Sequence, residues 1–368
     1  MEEAKPKPLG SPDWILLGAL VALVAVGLLM VFSSTSDWGY RNFGDQAHYL
    51  KRQLLWLAIG TVAMFFVAWF DYRHWTKLSI LIMAATVLML VVLVLFEGGR
   101  QLIGKSVSPV ELAKLAVVIY IGHWLSSKGE LLRRLPYGLL PFTIMVGLIA
   151  GLVMAQPDIS EAVVIVLVAL AMFFLAGARL QQFAIGILGG VGAFALVVSQ
   201  LDEALKRLAP FLECWKQPLT CSNDQLRQGL IALGSGGLLG LGPGNGRMKY
   251  LWLPAGHTDS IFAIVGEELG FLGGTAVIAL FALVTYRGFR LARLAPDSFG
   301  SLLAIGITCW IALQAMINLF VVTGTIPFTG IALPFISLGG SSLVTCMVGI
   351  GIMLSISRAV GAAEQAAR

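Results

Sequence analysis

The chain has 368 residues, of which 58% are hydrophobic and only 12% are charged. Soluble proteins contain about 25% charged residues, and the mean hydropathy of this chain is +0.86. These values exclude a disordered or collagen-like chain and argue against a soluble globular enzyme. The net charge of +5 comes without a basic run interleaved with aromatic residues, so we expect no nucleic-acid partner.

Long apolar runs that do not alternate with polar residues predict membrane-spanning helices rather than a β-barrel. A spanning helix needs about 20 mostly apolar residues. Glycine and proline residues between 324 and 334 divide the last uncharged stretch into two spans with a partly buried connection. The ten predicted spans are 14–32, 54–70, 78–96, 110–125, 135–155, 162–178, 183–200, 260–286, 301–323 and 341–357. The predicted fold class is therefore all-α, with residues 1–368 in a single transmembrane domain.

The distribution of Lys and Arg predicts the orientation. Ten spans put both termini on one side, and the short loops of that side carry more Lys and Arg than the short loops opposite. The positive-inside rule therefore predicts cytoplasmic termini. The long loop 201–258, between the seventh and eighth spans, is then extracytoplasmic, where Cys214 and Cys221 are able to form a disulfide.

Asp259 ends this loop and begins the eighth span. Charged groups in lipid are costly and mark functional candidates. One interpretation of Asp259 is a helix cap, since Thr, Asp and Ser are common cap residues. The other is a carboxylate at the outer membrane surface that acts as a general base. A helix N-terminus lowers the pKa of such a carboxyl, whereas burial raises it.

Three more charged residues are candidates for substrate binding. Glu111 and Lys114 are three residues apart on the fourth span. They form either a self-neutralising pair or part of a polar cavity in which Lys114 binds a phosphate. Arg52 is either an interfacial anchor or a ligand for an anionic headgroup on the outer face.

The remaining polar candidates are less specific. Asp158 is expected to cap the sixth span, and Glu267 and Glu268 to bond to neighbouring helices or loop backbone. The turn before the last span has two glycines between serines, which suits an anion but is also typical of an ordinary capping turn. The further substrate-binding candidates are Lys249, Ser337, Gly339 and Ser341. The sequence contains no recognisable cluster of metal-ligating residues.

Several dispersed motifs together resemble one family. They are Arg52-Gln53, Gln-Pro-Asp at 156–158, His-Thr-Asp-Ser-Ile-Phe-Ala at 257–263, Gly-Glu-Glu-Leu-Gly at 266–270, Asn318, Gly330, and Leu-Pro-Phe-Ile-Ser-Leu-Gly-Gly-Ser-Ser at 333–342. In this order, over nearly the whole chain, they resemble the SEDS family (shape, elongation, division and sporulation). Departures include Leu338, where the family usually has Tyr, and Glu161, where it usually has Thr. The chain looks more like the division branch, FtsW, than the elongation branch, RodA.

The resemblance implies a peptidoglycan glycosyltransferase of the bacterial cytoplasmic membrane, active on its extracytoplasmic side. Its substrate would be lipid II, an undecaprenyl-pyrophosphate-linked disaccharide-pentapeptide, polymerised in septal or else lateral wall synthesis. Asp259 would be the general base. With no second carboxylate expected nearby, the donor anomeric carbon would be inverted.

The resemblance also implies which groups stabilise the leaving group and which proteins are partners. Arg52 and Lys114, with a divalent cation (Mg or Mn) bound jointly with the pyrophosphate, would stabilise the leaving group. A class B penicillin-binding protein would supply the transpeptidase, among other divisome or elongasome membrane proteins. The competing interpretations are a lipid II flippase, because intramembrane charges suit a translocation path, and a scaffold that only recruits a partner.

Overall fold

The computed structural model describes residues 10–95, 108–156, 158–199, 210–214, 223–250, 253 and 256–367, and these contain helices and no β-strand. The main helices are α1 (Trp14–Phe43), α2 (His48–Trp69), α3 (His74–Leu95), α4 (Pro109–Lys128), α5 (Leu139–Met154), α6 (Ile159–Leu175), α7 (Leu180–Ser199), α8 (Asp224–Ser235), α9 (Ile261–Leu294), α10 (Ser298–Val322) and α11 (Gly340–Ala367). A 3-10 turn, Gly129–Arg133, follows α4.

The helices have the length and composition of a multi-pass membrane protein. Seven of them, α1 to α4 and α9 to α11, are long and apolar enough to cross a membrane. The helices α5 and α6 and the first part of α7 are apolar but shorter. Each predicted span overlaps one of these helices, which confirms the all-α membrane class. The count of ten crossings and the orientation of the termini stay predictions.

Several helices extend beyond the apolar segment that predicted them. The first helix continues through polar residues to Phe43 and ends at Gly44, whose φ of 69° breaks the helix. At its start, Asp13 accepts hydrogen bonds from two backbone amides of the first turn and pairs with Arg287 at 2.7 Å. Hydropathy thus marks the membrane-facing part of a helix, whereas caps and backbone hydrogen bonds decide where it ends.

The loop predicted at 201–258 is partly helical. It contains a helical stretch at 210–214 and the amphipathic helix α8. Within the stretch, Cys214 is buried and disulfide-bonded. Its predicted partner, Cys221, lies outside the described residues.

Two packing features position the site. Helix α10 contacts α4, α6, α9 and α11, and its Trp310 is fully buried. Helices α2 and α11 pack closely, since a Cβ atom added at Gly351 would lie 2.5 Å from the carbonyl oxygen of Met64.

The irregular segment 323–339, between α10 and α11, folds back into the bundle and buries Ile331 and Phe335. This agrees with the partly buried connection predicted there.

Candidate active site

Asp259 lies in a turn, residues 256–260, directly before the first residue of α9. The residue at the N-cap position is Ser260, and its side chain makes no capping hydrogen bond. Among the described residues, the carboxylate of Asp259 has a hydrogen-bond partner in Thr258, and no backbone amide of α9 donates to it. The carboxylate is therefore not used to cap the helix.

The surroundings of Asp259 change its acidity. Burial raises the pKa of the Asp259 carboxyl to about 7, and the charge of Asp158 raises it too, while the hydrogen bond from Thr258 lowers it. Burial also lowers the pKa of His257, whose ring lies 4.7 Å from the ring of Trp38. A carboxyl with a pKa near the working pH is suited to proton transfer.

The charge of Asp158 acts on the Asp259 carboxyl. The two residues are far apart in the chain, but each directly precedes a helix, α6 and α9 respectively. The side chain of Asp158 makes no capping hydrogen bond, and its charge is the smallest of the three influences on the Asp259 pKa. Asp158 is therefore a second acidic residue whose charge acts on the Asp259 carboxyl.

An amide side chain of α10 holds the turn in place. The Nδ2 group of Asn318 donates to the carbonyl oxygen of Asp259 at 2.8 Å and to that of Ile331 at 2.7 Å. Gly330 lies beside the carboxylate, because a Cβ atom there would be 3.5 Å from Oδ2 of Asp259. Its φ of 74° also favours glycine. Helix α10 and the segment 323–339 thus form one wall of the site.

Ser337 connects this wall to the turn and to α2. Its hydroxyl donates to the carbonyl oxygen of Thr258 at 2.6 Å and accepts from the Leu333 amide at 2.8 Å. The side-chain amide of Gln53 donates to the Ser337 carbonyl oxygen at 3.4 Å. Arg52, the neighbour of Gln53 on α2, is exposed at the same end of the bundle. The structure therefore brings Arg52, Ser337 and Asp259 to one region.

The other two residues of the predicted anion-binding turn lie just beyond Ser337. Gly339 directly precedes α11 and is partly exposed. The hydroxyl of Ser341, in the first turn of α11, accepts a hydrogen bond from the backbone amide of Ser108 at 3.0 Å. The hydroxyls of Ser337 and Ser341 are thus both engaged by backbone groups.

Lys114 lies at the centre of a buried charge cluster. Its Nζ is 2.9 Å from Glu111 Oε2, 2.9 Å from Glu161 Oε2 and 3.0 Å from Gln314 Oε1. Two carboxylates and one amide oxygen therefore surround the ammonium group. Glu111 and Lys114 form the ion pair that one of the two interpretations predicted, and Glu161 of α6 joins them. In this arrangement the buried charge of Lys114 is already paired with protein carboxylates rather than presented to a phosphate.

Gln314 links this cluster to the wall beside Asp259. Its Oε1 also accepts from the indole of Trp310 at 2.8 Å, while its Nε2 donates to the Ala332 carbonyl oxygen at 3.1 Å. Sequence reasoning did not identify Gln314, and it noted Glu161 only as a departure from the family pattern. The signal for the glutamine was available, because Gln314 and Asn318 are polar residues four positions apart in an apolar span, hence on one helix face.

Lys249, Glu267 and Glu268 form a second buried cluster. The Nζ of Lys249 lies 2.9 Å from Glu268 Oε1, 2.9 Å from the Ser33 hydroxyl and 2.6 Å from the carbonyl oxygen of residue 244. Glu268 accepts from the backbone amides of residues 244 and 246, and Glu267 from those of residues 247 and 248. This geometry supports the predicted structural role of the two glutamates and gives Lys249 the same role.

The fold and the site together define an all-helical, multi-pass membrane protein with a buried carboxyl of raised pKa at one end of its bundle. The chain belongs to the FtsW/RodA/SpoVE family, whose model, described as "Cell cycle protein", matches residues 13–361. The predicted SEDS membership is thus confirmed.

Individual relatives match over nearly their whole length. "Stage V sporulation protein E" of Bacillus subtilis (strain 168) is 40% identical over 358 residues, covering 95% of this chain and 97% of the relative. "Probable peptidoglycan glycosyltransferase FtsW" of Trichlorobacter lovleyi is 37% identical over 366 residues, covering 96% of this chain and 95% of the relative. The predicted likeness to FtsW is borne out by such relatives.

Solved structures share the fold. RodA of Thermus thermophilus, described as a rod shape determining protein, has a TM-score of 0.68 at 26% identity and covers 94% of this chain and 97% of its own. A chain of the structure described as "Structural coordination of polymerization and crosslinking by a peptidoglycan synthase complex" has a TM-score of 0.73 at 25% identity. The match covers 94% of this chain and 98% of the other.

Proposed function

We propose that this protein is a peptidoglycan glycosyltransferase that polymerises lipid II, with Asp259 as the general base. Full-length relatives named peptidoglycan glycosyltransferase support the reaction class. The observation that carries the role of Asp259 is a carboxyl that caps no helix and whose pKa is raised by burial to about 7. The setting we propose is septal wall synthesis, because the sequence resembles the division branch, with lateral wall synthesis as the second setting.

The chemistry needs a proton acceptor beside the acceptor sugar. A sugar hydroxyl is a poor nucleophile, and the Asp259 carboxylate takes its proton while the oxygen bonds to the donor anomeric carbon. The bond from that carbon to the pyrophosphate oxygen breaks, and the electron pair leaves with the lipid pyrophosphate. General-base help of this kind increases rates by roughly 10²–10⁴.

A single displacement inverts the anomeric carbon, and the purely electrostatic influence of Asp158 supports this course. In retaining enzymes the two carboxyl groups lie about 5–5.5 Å apart, a separation at which their titrations couple strongly. Asp158 influences the pKa of Asp259 through its charge and not through a hydrogen bond. We therefore assign Asp158 to the electrostatics of the site rather than to a covalent intermediate.

The leaving pyrophosphate needs positive charge, and Arg52 is the candidate cation on the protein. Lys114 is already neutralised by two carboxylates. The described residues contain no group of three His, Cys, Asp or Glu side chains that could hold a metal ion. Asp158 and Asp259 would be the carboxylates available to a divalent cation, Mg or Mn, bound jointly with the pyrophosphate. Bound there, it would supply charge stabilisation for the leaving group.

Orientation and partner belong to the same proposal. The basic residues at the end of α9, Arg287, Arg290 and Arg293, favour a cytoplasmic end there, which puts Asp259 on the extracytoplasmic side. A class B penicillin-binding protein is the proposed crosslinking partner, in line with the neighbour from a peptidoglycan synthase complex that couples polymerization to crosslinking. Other divisome or elongasome membrane proteins are further partners.

The test compares purified wild type, Asp259→Asn and Asp224→Asn in proteoliposomes with lipid II. Asp224 is an exposed acid at the start of α8 and serves as the matched control. We expect glycan ladders from wild type and Asp224→Asn and none from Asp259→Asn, with equal thermal unfolding midpoints for all three. Wild-type ladders from Asp259→Asn would refute the base assignment. Dye-labelled lipid II that crosses the bilayer without any ladder would support the flippase instead.

A further inference from the structure

The glycine-rich segment after α8 pairs with an unwound turn of α9. We call residues 236–242 the glycine loop. Gly270 has a φ of 69° and a ψ of −168°, which interrupts the helix. The amides of Phe271 and Leu272 donate to the carbonyl oxygens of residues 237 and 238 at 2.9 and 3.1 Å, and the amides of residues 241 and 242 donate to the carbonyls of residues 267 and 268, both at 3.0 Å. The loop thus lies along α9 through backbone hydrogen bonds.

Glycine is required for this approach. A Cβ atom at Gly236 would lie 1.9 Å from the carbonyl oxygen of Gly266, and one at Gly240 would lie 2.2 Å from that of Glu268. Both distances are far below van der Waals contact. The glycine residues of the segment therefore allow the loop to pack against the helix.

The contact lies at the depth of the membrane hydrocarbon. Arg287 is the first basic residue along α9, and it lies toward the C-terminal end of the helix. Its side chain pairs with Asp13 at 2.7 Å. Leu272 precedes Arg287 by fifteen residues, which is a rise of about 22 Å along a helix. The hydrocarbon core is about 30 Å thick. The loop residues bonded to Leu272 therefore lie within that thickness.

The outward surface of the glycine loop is apolar and continues the lipid-facing surface of α9. Leu238 and Leu239 are 71% and 78% exposed, next to Phe271 and Leu272 at 66% and 57%. Loop backbone at membrane depth is stable only where its polar groups are satisfied within the protein. The pairing with α9 does this for the glycine loop, and the carboxylates of Glu267 and Glu268 do it for the amides that follow.

We propose that the glycine loop is a re-entrant membrane segment, with Leu238 and Leu239 in contact with the acyl chains of the leaflet nearest Asp259. The lipid hydrocarbon is the occupant of this face because the patch carries no charge and joins the exposed apolar face of a spanning helix. Part of the long loop predicted to be extracytoplasmic is then embedded in the bilayer.

An environment-sensitive probe tests this placement. Leu239→Cys is labelled with the fluorophore NBD and reconstituted in vesicles of phosphatidylethanolamine and phosphatidylglycerol. Asp224→Cys on α8 is the aqueous control, and Ile278→Cys on the exposed face of α9 is the hydrocarbon control. The unsubstituted protein measures background labelling, which should be low because the free cysteines among the described residues, Cys309 and Cys346, are buried.

We expect NBD at position 239 to emit at the shorter wavelength seen at position 278. It should be quenched severalfold more by doxyl-labelled lipids than NBD at position 224, and hardly by aqueous iodide. Quenching by iodide instead of doxyl lipid would overturn the proposal. Protection from both quenchers would also overturn it, because another polypeptide, a second copy or a partner, would then cover the patch. Leu238→Cys provides an independent repeat, and none of these results depends on the polymerase activity.

Discussion

The pH dependence of polymerisation tests the role of Asp259 directly. Only the carboxylate accepts a proton, and burial raises the pKa of this carboxyl from 3.8 to about 7. The ionised fraction therefore falls from about nine tenths at about pH 8 to about one tenth at about pH 6. We expect the rate to fall about tenfold over this range. An aspartate with the ordinary pKa would stay ionised, and the rate would then be flat.

Two neighbouring substitutions should move the acidic limb of this profile in opposite directions. Asp158→Asn removes a negative charge that raises the pKa of Asp259, so the limb should shift to lower pH. Thr258→Val removes the hydrogen bond that lowers this pKa, so the limb should shift to higher pH. A merely structural disturbance would not produce shifts of opposite sign.

The assay is the initial rate of glycan formation from purified lipid II at a series of pH values. Each sample is returned to about pH 8 and assayed again, so that irreversible loss of the folded protein is separated from titration. Asp224→Asn is the control and should keep the wild-type profile. A flat wild-type profile, or a limb that neither Asp158→Asn nor Thr258→Val moves, would refute the reasoning.

The remaining predictions concern the supporting structure. Lys114→Met should destabilise the fold by about 3–5 kcal/mol, because two buried carboxylates lose their cation; the thermal unfolding midpoint measures this. Asn318→Leu leaves two buried carbonyl groups unpaired, at about 1–3 kcal/mol each, and should lower both the midpoint and the polymerisation rate. Gly236→Ala should lower the midpoint sharply. Gly234→Ala, where a Cβ meets nothing within 4 Å, should leave the midpoint unchanged or raise it, because replacing a glycine inside a helix by alanine adds up to about 1 kcal/mol to the free energy of unfolding.

Each of these predictions has a contrary result. An unchanged midpoint in Lys114→Met would mean that the buried cluster is not an ion pair. A wild-type rate in Asn318→Leu would contradict the positioning of the Asp259 turn by this amide. Equal midpoints for Gly236→Ala and Gly234→Ala would show that the glycine loop does not pack against α9.

The sequence alone was enough to predict the membrane class, the apolar helices and the family. These properties depend on local features, since hydropathy over about 20 residues decides whether a helix crosses a bilayer and short motifs identify relatives. Asp259 could also be identified as a candidate, because a carboxylate between a long loop and an apolar span is unusual.

Only the tertiary structure decided which polar groups meet. Glu161 joins Lys114 across α4 and α6, Asp158 influences Asp259 from another helix, and Gln314 connects the buried charges to the wall of the site. These contacts join residues far apart in the chain, and the rotation and depth of each helix determine them. A hydropathy pattern does not specify either quantity, because lipid-facing and buried positions of a spanning helix are both apolar.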